Sequence, residues 1–373
     1  MRPYLSTALW STTRATSRFT RAPLRSYSSP ATPQTSPFAP RHLLSIADLT
    51  TPELVTLVRD AAAFKNSIKS GADLFGSSRR PLDGKTVAMM FSKRSTRTRV
   101  STEGAIAQLG GNPMFLGAQD IQLGVNESLY DTSVMISSVV SAIVARVHGH
   151  EDVAALAKAS SVPVINALSD LYHPLQTIAD YLTVHNAFPS AKSDTREPGQ
   201  LLGLEGLNIA WVGDANNVLY DLAIGGMKLG INLSVATPNG YEIPEAMRQI
   251  IHQARSDTST TRPGSLSETN VPEEAVKGAD IIVTDTWVSM GQEEEKVQKM
   301  KAFEGFQVTA DLAKRGGAKE GWQFMHCMPR HPDEVSDEVF YSPKSLVFKE
   351  AENRLYSALA VLNAFVVKQG HIL

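Results

Sequence analysis

Cysteine is almost missing from this sequence: Cys327 is the one thiol in 373 residues. No intramolecular disulfide can form, and the chain has no need of an oxidising compartment. Net charge is nearly missing too, since 36 basic residues face 38 acidic ones for a formal charge of -2. Without a global field there is no electrostatic case for nucleic acid or for an anionic membrane as a partner. No apolar run reaches the ~18 residues that span a bilayer, and the longest, near Ala358 to Val367, reads as a buried helix. The sequence has no internal repeat and no long low-complexity tract.

Acid is absent from one region in particular. No Asp or Glu precedes Asp48, whereas Arg2, Arg14, Arg18, Arg21, Arg25 and Arg41 lie there among many Ser, Thr and Pro. An Arg-rich, Ser-rich, acid-poor start without a continuous apolar core has the composition of an organelle transit peptide and not of a secretory signal. Residues 1–37 are therefore expected to carry the chain into the mitochondrial matrix.

The rest, in a chain that is 42% hydrophobic, is long enough for two domains with cores of their own. Leu49 to Gly71 spaces Leu54, Leu57, Val58, Ala61 and Ala62 on one helical face, with Thr51 as N-cap and Pro52 in the first turn. "KTVAMMFS" (85–92) reads as a strand, and "VSTEGAIAQLGG" reads as a helix with a Gly-Gly stop. Apolar runs at Asn112 to Leu116, Ser141 to Val147 and Val162 to Ala167 alternate with helical segments such as "EDVAALAKASS". A second series follows the polar stretch "AFPSAKSDTREPGQ". It has strands at "LNIAWVGD", "INLSVATP", "ADIIVTDTW" and "FQVTADL", a helix at "NVLYDLAIGGMKLG" and a polar loop at "RSDTSTTRPGSLSETNVP". Such alternation specifies α/β units with mostly parallel sheets, joined by a helix over "LYHPLQTIADYLTVHNAF".

One stretch carries chemistry openly. "FSKRSTRTRVS" (91–101) places Lys93, Arg94, Arg97 and Arg99 between a strand and a helix, with no acid inside the stretch. An isolated basic cluster is more often a solvated turn. A loop at the carboxyl end of a parallel strand that opens into a helix, however, presents free N–H groups and the positive end of the helix dipole. Ser95, Thr96 and Thr98 add hydroxyl donors, and Arg97 can grip two oxygens in a fork. Phosphate or a phosphate ester is the expected ligand.

These residues, with "HPLQ" (173–176), "DTWVSMG" (285–291) and "HCMPRH" (326–331), resemble the aspartate/ornithine carbamoyltransferase family, in its mitochondrial, anabolic, ornithine-using branch. The resemblance runs from about Arg41 to the C-terminus. It implies two doubly wound parallel-sheet α/β domains with the active site in the cleft between them: 38–184 plus 346–373 for carbamoyl phosphate, and 185–345 for L-ornithine. It also implies a homotrimer and no metal or other cofactor. The implied reaction gives L-citrulline and phosphate, a step of arginine biosynthesis. Arg97, Arg146, His173, Asp285 and Cys327 would be catalytic. Ser95, Thr96, Arg97, Thr98, Gln122, Arg146, His173, Gln176, Cys327, Met328 and Arg354 would bind carbamoyl phosphate, and Asn217, Asp285, Ser289 and Met290 would bind ornithine. The family usually has Leu where Met328 stands, but it uses that residue's backbone.

The chemistry asks for such groups. Charge develops on the carbamoyl oxygen and then on the leaving phosphate, which calls for fixed donors and cations. Arg146 ends an apolar run in "VARVHGH", and Pro174 biases His173 away from helical angles at a helix start. Asp285, ending "DIIVTD", suits the α-ammonium of ornithine, and Cys327 would position or deprotonate its δ-amine only if tuned by its surroundings. Aspartate would need a cation where this chain has Asp285, and an acetylated α-nitrogen would leave that acid unpaired. Two other constellations are weaker. Cys327 and His331 have i,i+4 spacing, but Pro329 breaks the helix that a metal pair would need. "VGDANN" lacks the glycines of a dinucleotide turn. A non-catalytic relative would have no need of the intact Arg97, His173, Asp285 and Cys327 set. For the leader, residues 1–37 fused to a fluorescent reporter are expected to deliver it to mitochondria, and cytosolic fluorescence would refute the assignment.

Overall fold

Glu53 accepts the N–H of Thr50 at 2.8 Å, and helix α1 (Thr51–Lys69) starts there, one residue before the expected cap at Thr51. The computed structural model describes residues 40–72, 80–117, 127–189, 202–256, 263–288 and 296–372. The leader, Gln122, Ser289 and Met290 lie outside them. After α1 come β1 (Thr86–Phe91), α2 (Thr96–Gln108), β2 (Asn112–Gly117), α3 (Leu129–Ser137), β3 (Ala142–Arg146), α4 (His150–Ala159) and β4 (Val164–Leu168). These strands form a parallel sheet in the order β2-β1-β3-β4. Val87, Ala88, Met89 and Met90 are all buried, so β1 is covered on both faces and reads as a continuous apolar run.

Helix α5 (Pro174–Ala187) leads to the second sheet. It is built from β5 (Asn208–Val212), α6 (Asn217–Leu229), β6 (Asn232–Ala236), α7 (Glu245–Ser256), β7 (Ser265–Thr269), α8 (Pro272–Val276) and β8 (Ile281–Val283). Then follow α9 (Lys296–Ala302), α10 (Ala310–Arg315), β9 (Gln323–Met325), α11 (Asp337–Phe340) and α12 (Val347–Leu362). The order is β7-β6-β5-β8-β9, again all parallel. Strand order reverses beside β1 in the first sheet and beside β5 in the second, and ligand crevices of open α/β sheets form at such points, outside the carboxyl ends. The expected return of the C-terminal helix is present: α12 packs on α1, α2 and α5.

Three elements differ from expectation. "FQVTADL" is not a strand: Val308 makes a single bridge to Val335, and Thr309 caps α10 by accepting the N–H of Leu312 at 3.0 Å. The polar loop contains β7, whose SLSET sequence sits at the sheet edge and is largely exposed, so it carries no apolar signal. The short β9 gives periodicity too little length to show.

A fully buried carboxylate ties the two sheets together. Asp221 on α6 accepts from Ser45 Oγ at 2.9 Å, from the Ile46 N–H at 3.0 Å and from the His173 N–H at 2.8 Å. Burial pushes this acid up to about 7 despite those three donors. Next to it, α6 approaches α5 through Gly225, where an added Cβ would stand 2.5 Å from Cε2 of the buried Tyr181. Tyr181 cannot swing aside, because its hydroxyl donates to the Leu222 carbonyl. Alanine in a helix is worth about 1 kcal/mol over glycine, but overpacking costs about 1–3 kcal/mol. Gly225→Ala is therefore expected to lower stability in urea denaturation, and an unchanged or raised midpoint would show that the helices separate freely.

Candidate active site

The carboxyl ends of both sheets open onto one cavity of about 1090 Å³. Its first-sheet wall is the start of α2, where Ser95 caps the helix by accepting the Thr98 N–H at 3.3 Å. Strand, loop and helix thus meet as the sequence predicts, and Lys93, Arg94, Ser95, Thr96, Arg97 and Thr98 all line the cavity. Arg146, the last residue of β3, is buried, and its Nε has no partner. Arg354 reaches in from α12, donating from Nη1 to Gln176 Oε1 at 2.5 Å and from Nη2 to Thr98 Oγ1 at 3.3 Å. Its Nε is likewise unpartnered. Desolvation and the neighbouring Arg97 lower both guanidiniums to about 10. Neither Arg97, Arg146 nor Arg354 forms an ion pair with a carboxylate among the described residues. Three cations so placed demand an anion.

His173 stands among them at non-helical angles, φ -141° and ψ 63°, as the following proline requires. Burial first, then Arg354, Arg146 and Arg97, push its imidazole well below the usual histidine range. The ring is therefore neutral, and its Nδ1 has no partner. Gln176 lies one turn on, its amide nitrogen bonded to Asp180 and Glu350 and its carbonyl to Arg354. One lone pair of that carbonyl remains for a ligand.

Arg97 crosses to the second sheet, donating to the Met328 carbonyl at 2.5 Å. Met328 has φ 58°, a left-handed conformation that costs a non-glycine residue energy. Its N–H donates to His326 Nδ1 at 2.8 Å, which holds the turn. Asp285, buried at the end of β8, accepts from Cys327 Sγ at 3.0 Å and from Asn216 Nδ2 at 2.7 Å. Burial and the charges of Asp285 and Glu350 push the Cys327 thiol well above its ordinary value. Its surroundings thus tune it away from a thiolate base, and it acts here as a donor to Asp285. Asn217 donates to the Ser169 carbonyl at 2.6 Å, spanning the cleft.

Sequence reasoning overlooked three groups. Asn216 caps α6 and orients Asp285, and an Asn before a helix was a readable N-cap signal. Lys299 on α9 neutralises Asp214 at 2.7 Å and donates to the Trp287 carbonyl at 3.0 Å. The Asp180 and Glu350 pair, far apart in sequence, gave no signal at all. Asp285, His326 and Cys327 have ligand-type atoms within 4.8 Å of one another. Their hydrogen bonds engage them with each other and with Met328, so they read as a bonded cluster and not as a ligand set. His331, the other half of the i,i+4 pair, points instead to Glu334 at 2.9 Å and Thr286 at 3.3 Å.

Comparison with known proteins agrees with this geometry. Residues 41–186 match the family model for the carbamoyl-P binding domain of aspartate/ornithine carbamoyltransferase, and residues 205–365 match the model for its Asp/Orn binding domain. The mitochondrial ornithine carbamoyltransferase of Aspergillus terreus is 66% identical over 352 residues, 94% of this chain and 95% of that one. The enzyme of the same name from Emericella nidulans is 65% identical over 355 residues, 94% and 96% of the two chains. Among solved structures, a mitochondrial ornithine carbamoyltransferase from Coccidioides immitis superposes with a TM-score of 0.82 at 62% identity, covering 90% of this chain and all of that one. The ornithine carbamoyltransferase from Pyrococcus furiosus gives 0.78 at 44% identity, covering 90% and 99%. With both of its domains matched and relatives this similar along nearly its whole length, the chain belongs to the aspartate/ornithine carbamoyltransferase family.

Proposed function

We propose that the chain transfers the carbamoyl group of carbamoyl phosphate to the δ-amine of L-ornithine, giving L-citrulline and phosphate, as an anabolic enzyme of the mitochondrial matrix. One observation carries this reading. Three guanidiniums and the start of a helix converge on one side of a cleft with no carboxylate among the described residues to pair them, and the buried acid Asp285 faces the same cleft from the other sheet. An anion and an ammonium are thereby bound side by side. Relatives named as mitochondrial support the compartment, and among the described residues no helix is long and apolar enough to cross a membrane. We also keep the homotrimer of the resemblance, and the division into 38–184 plus 346–373 and 185–345, because α12 packs against first-sheet helices.

The phosphate would lie at the first turn of α2 against Arg97 and the hydroxyls of Ser95, Thr96 and Thr98. The carbamoyl oxygen would face His173 and the free Nε atoms of Arg146 and Arg354. A neutral imidazole can donate a hydrogen bond to the developing oxyanion without transferring its proton, while the arginines stabilise the charge. Attack by the amine nitrogen on the carbamoyl carbon forms the new C–N bond and an oxyanion. As this collapses the bond to the phosphate oxygen breaks, and the phosphate leaves with the electron pair and takes up the proton that the amine nitrogen must lose. The amine has an ordinary pKa of about 10.4 and reacts only without its proton. Cys327 stays a thiol, so its part is to hold Asp285 in place for the α-ammonium. The family's other branch would bring an aspartate side-chain carboxylate to Asp285, where like charges repel.

Two substitutions separate the halves of the site. Arg97→Leu removes a fork that faces phosphate, and kcat/KM for carbamoyl phosphate is expected to fall by at least about 10³ with the far-ultraviolet dichroism unchanged. Citrulline formation within threefold of the parent's would contradict this reading. Asp285→Asn is expected to raise the ornithine KM by about tenfold or more while the carbamoyl phosphate KM changes by less than about threefold. Equal rises in both constants would show that Asp285 does not meet the ammonium.

A further inference from the structure

Behind the arginines, two acids meet on one amide. Gln176 Nε2 donates to Asp180 Oδ1 at 2.7 Å and to Glu350 Oε1 at 2.9 Å, which takes both of its hydrogens. Asp180 and Glu350 therefore lie side by side on a single NH2 group. All three residues are buried. Two carboxyl groups held this close in a dry site do not both ionise, and the one that keeps its proton can share it with the other.

We propose that Asp180 and Glu350 hold a single proton between them and act as a positioning pair for the carbamoyl phosphate site, orienting Gln176 toward Arg354 and anchoring the backbone that leads to Cys327. The first role follows from the amide. With its nitrogen committed to two acids, Gln176 can present only its carbonyl to Arg354. A flipped amide would set an NH2 against a guanidinium, donor against donor. The second role follows from Glu350 Oε2, which accepts the His326 N–H at 3.0 Å. Helices α5 and α12 are thereby joined to the residue that follows β9, so one acid pair links both walls of the cleft.

The groups facing the pair come from every neighbouring element: Arg354 on α12, Asp285 after β8, and His326 and Cys327 after β9. Arg354 favours an ionised Asp180 and Asp285 opposes it. Burial outweighs both, and each carboxyl of the pair is raised above the ordinary acid range. One shared proton leaves a single negative charge, which balances Arg354 without quenching it. These are positioning residues, since neither touches the space where substrate would lie.

The assignment rests on the carbamoyl phosphate reading of the cavity, and the test keeps the two apart. Glu350→Gln retains a donor to Asp180 and an acceptor for Gln176, whereas Asp180→Asn combined with Glu350→Gln also removes the acid that biases the Gln176 amide. In the infrared difference spectrum between the parent and Glu350→Gln, both as full chains without substrates, the parent is expected to show the carbonyl stretch of a protonated carboxylic acid that the variant lacks, the contribution of buried Asp221 being common to both. The carbamoyl phosphate KM is expected to rise about threefold in Glu350→Gln and about thirtyfold in the double variant, with the ornithine KM at saturating carbamoyl phosphate changing less than about threefold in either. A difference spectrum without that band overturns the proposal. So does a single variant as impaired as the double, or a parallel rise in both KM values, which would mark a merely structural role. The band decides the matter even if the double variant fails to fold. A parent chain that shows the band but makes no citrulline would sink the carbamoyl phosphate reading alone.

Discussion

Buried positive charge that no acid among the described residues matches is the constraint on which the rest of this structure depends. Arg146 and Arg354 are buried together, with Arg97 close enough to depress them both. Removing a guanidinium from water is expensive unless its hydrogens find partners. The chain supplies neutral partners where a carboxylate would neutralise the site: the Thr98 hydroxyl, the Gln176 carbonyl and the Met328 carbonyl. Acids are kept one layer back, where Asp180 and Glu350 act on Arg354 through Gln176. The remaining Nε atoms are held in readiness for an anion.

The same economy of contacts holds the cleft together. Arg97 to Met328, Asn217 to Ser169, Asp221 to the His173 N–H and Glu350 to the His326 N–H each span the two sheets through a backbone group. Backbone partners fix position without adding a side chain that substrate would have to displace. His173 shows the result. Its main chain is held by Asp221, its angles are restricted by Pro174, and its ring remains neutral under three cations. Asp285 is placed in a similar way by Asn216 and Cys327, while Lys299 neutralises the neighbouring Asp214.

Much of this was legible in the sequence, for reasons tied to particular residues. The strands that form both sheet centres are apolar throughout because parallel strands are covered on both faces, and "TVAMMF" and "NIAWV" show it plainly. The basic stretch between β1 and α2 pointed toward an anion because it contains no acid of its own, although Arg99 pairs with Glu103 at 2.9 Å within α2. Exposed or very short strands were not legible. SLSET on the sheet edge looks like loop, β9 has too few residues, and the apolar letters of "FQVTADL" serve a bridge and a helix cap instead.

By itself the sequence determined the α/β alternation, the cap of the first helix to within a residue and the residue types that gather in the basic stretch, because propensity, period and local charge act over a few neighbours. Only the tertiary structure decided the state of those residues. Cys327 is a protonated donor and not a thiolate, His173 is neutral, and Asp180 meets Glu350 across 170 residues of chain. Protonation depends on burial and on charges brought together by folding, and neither quantity is written in any local stretch of sequence.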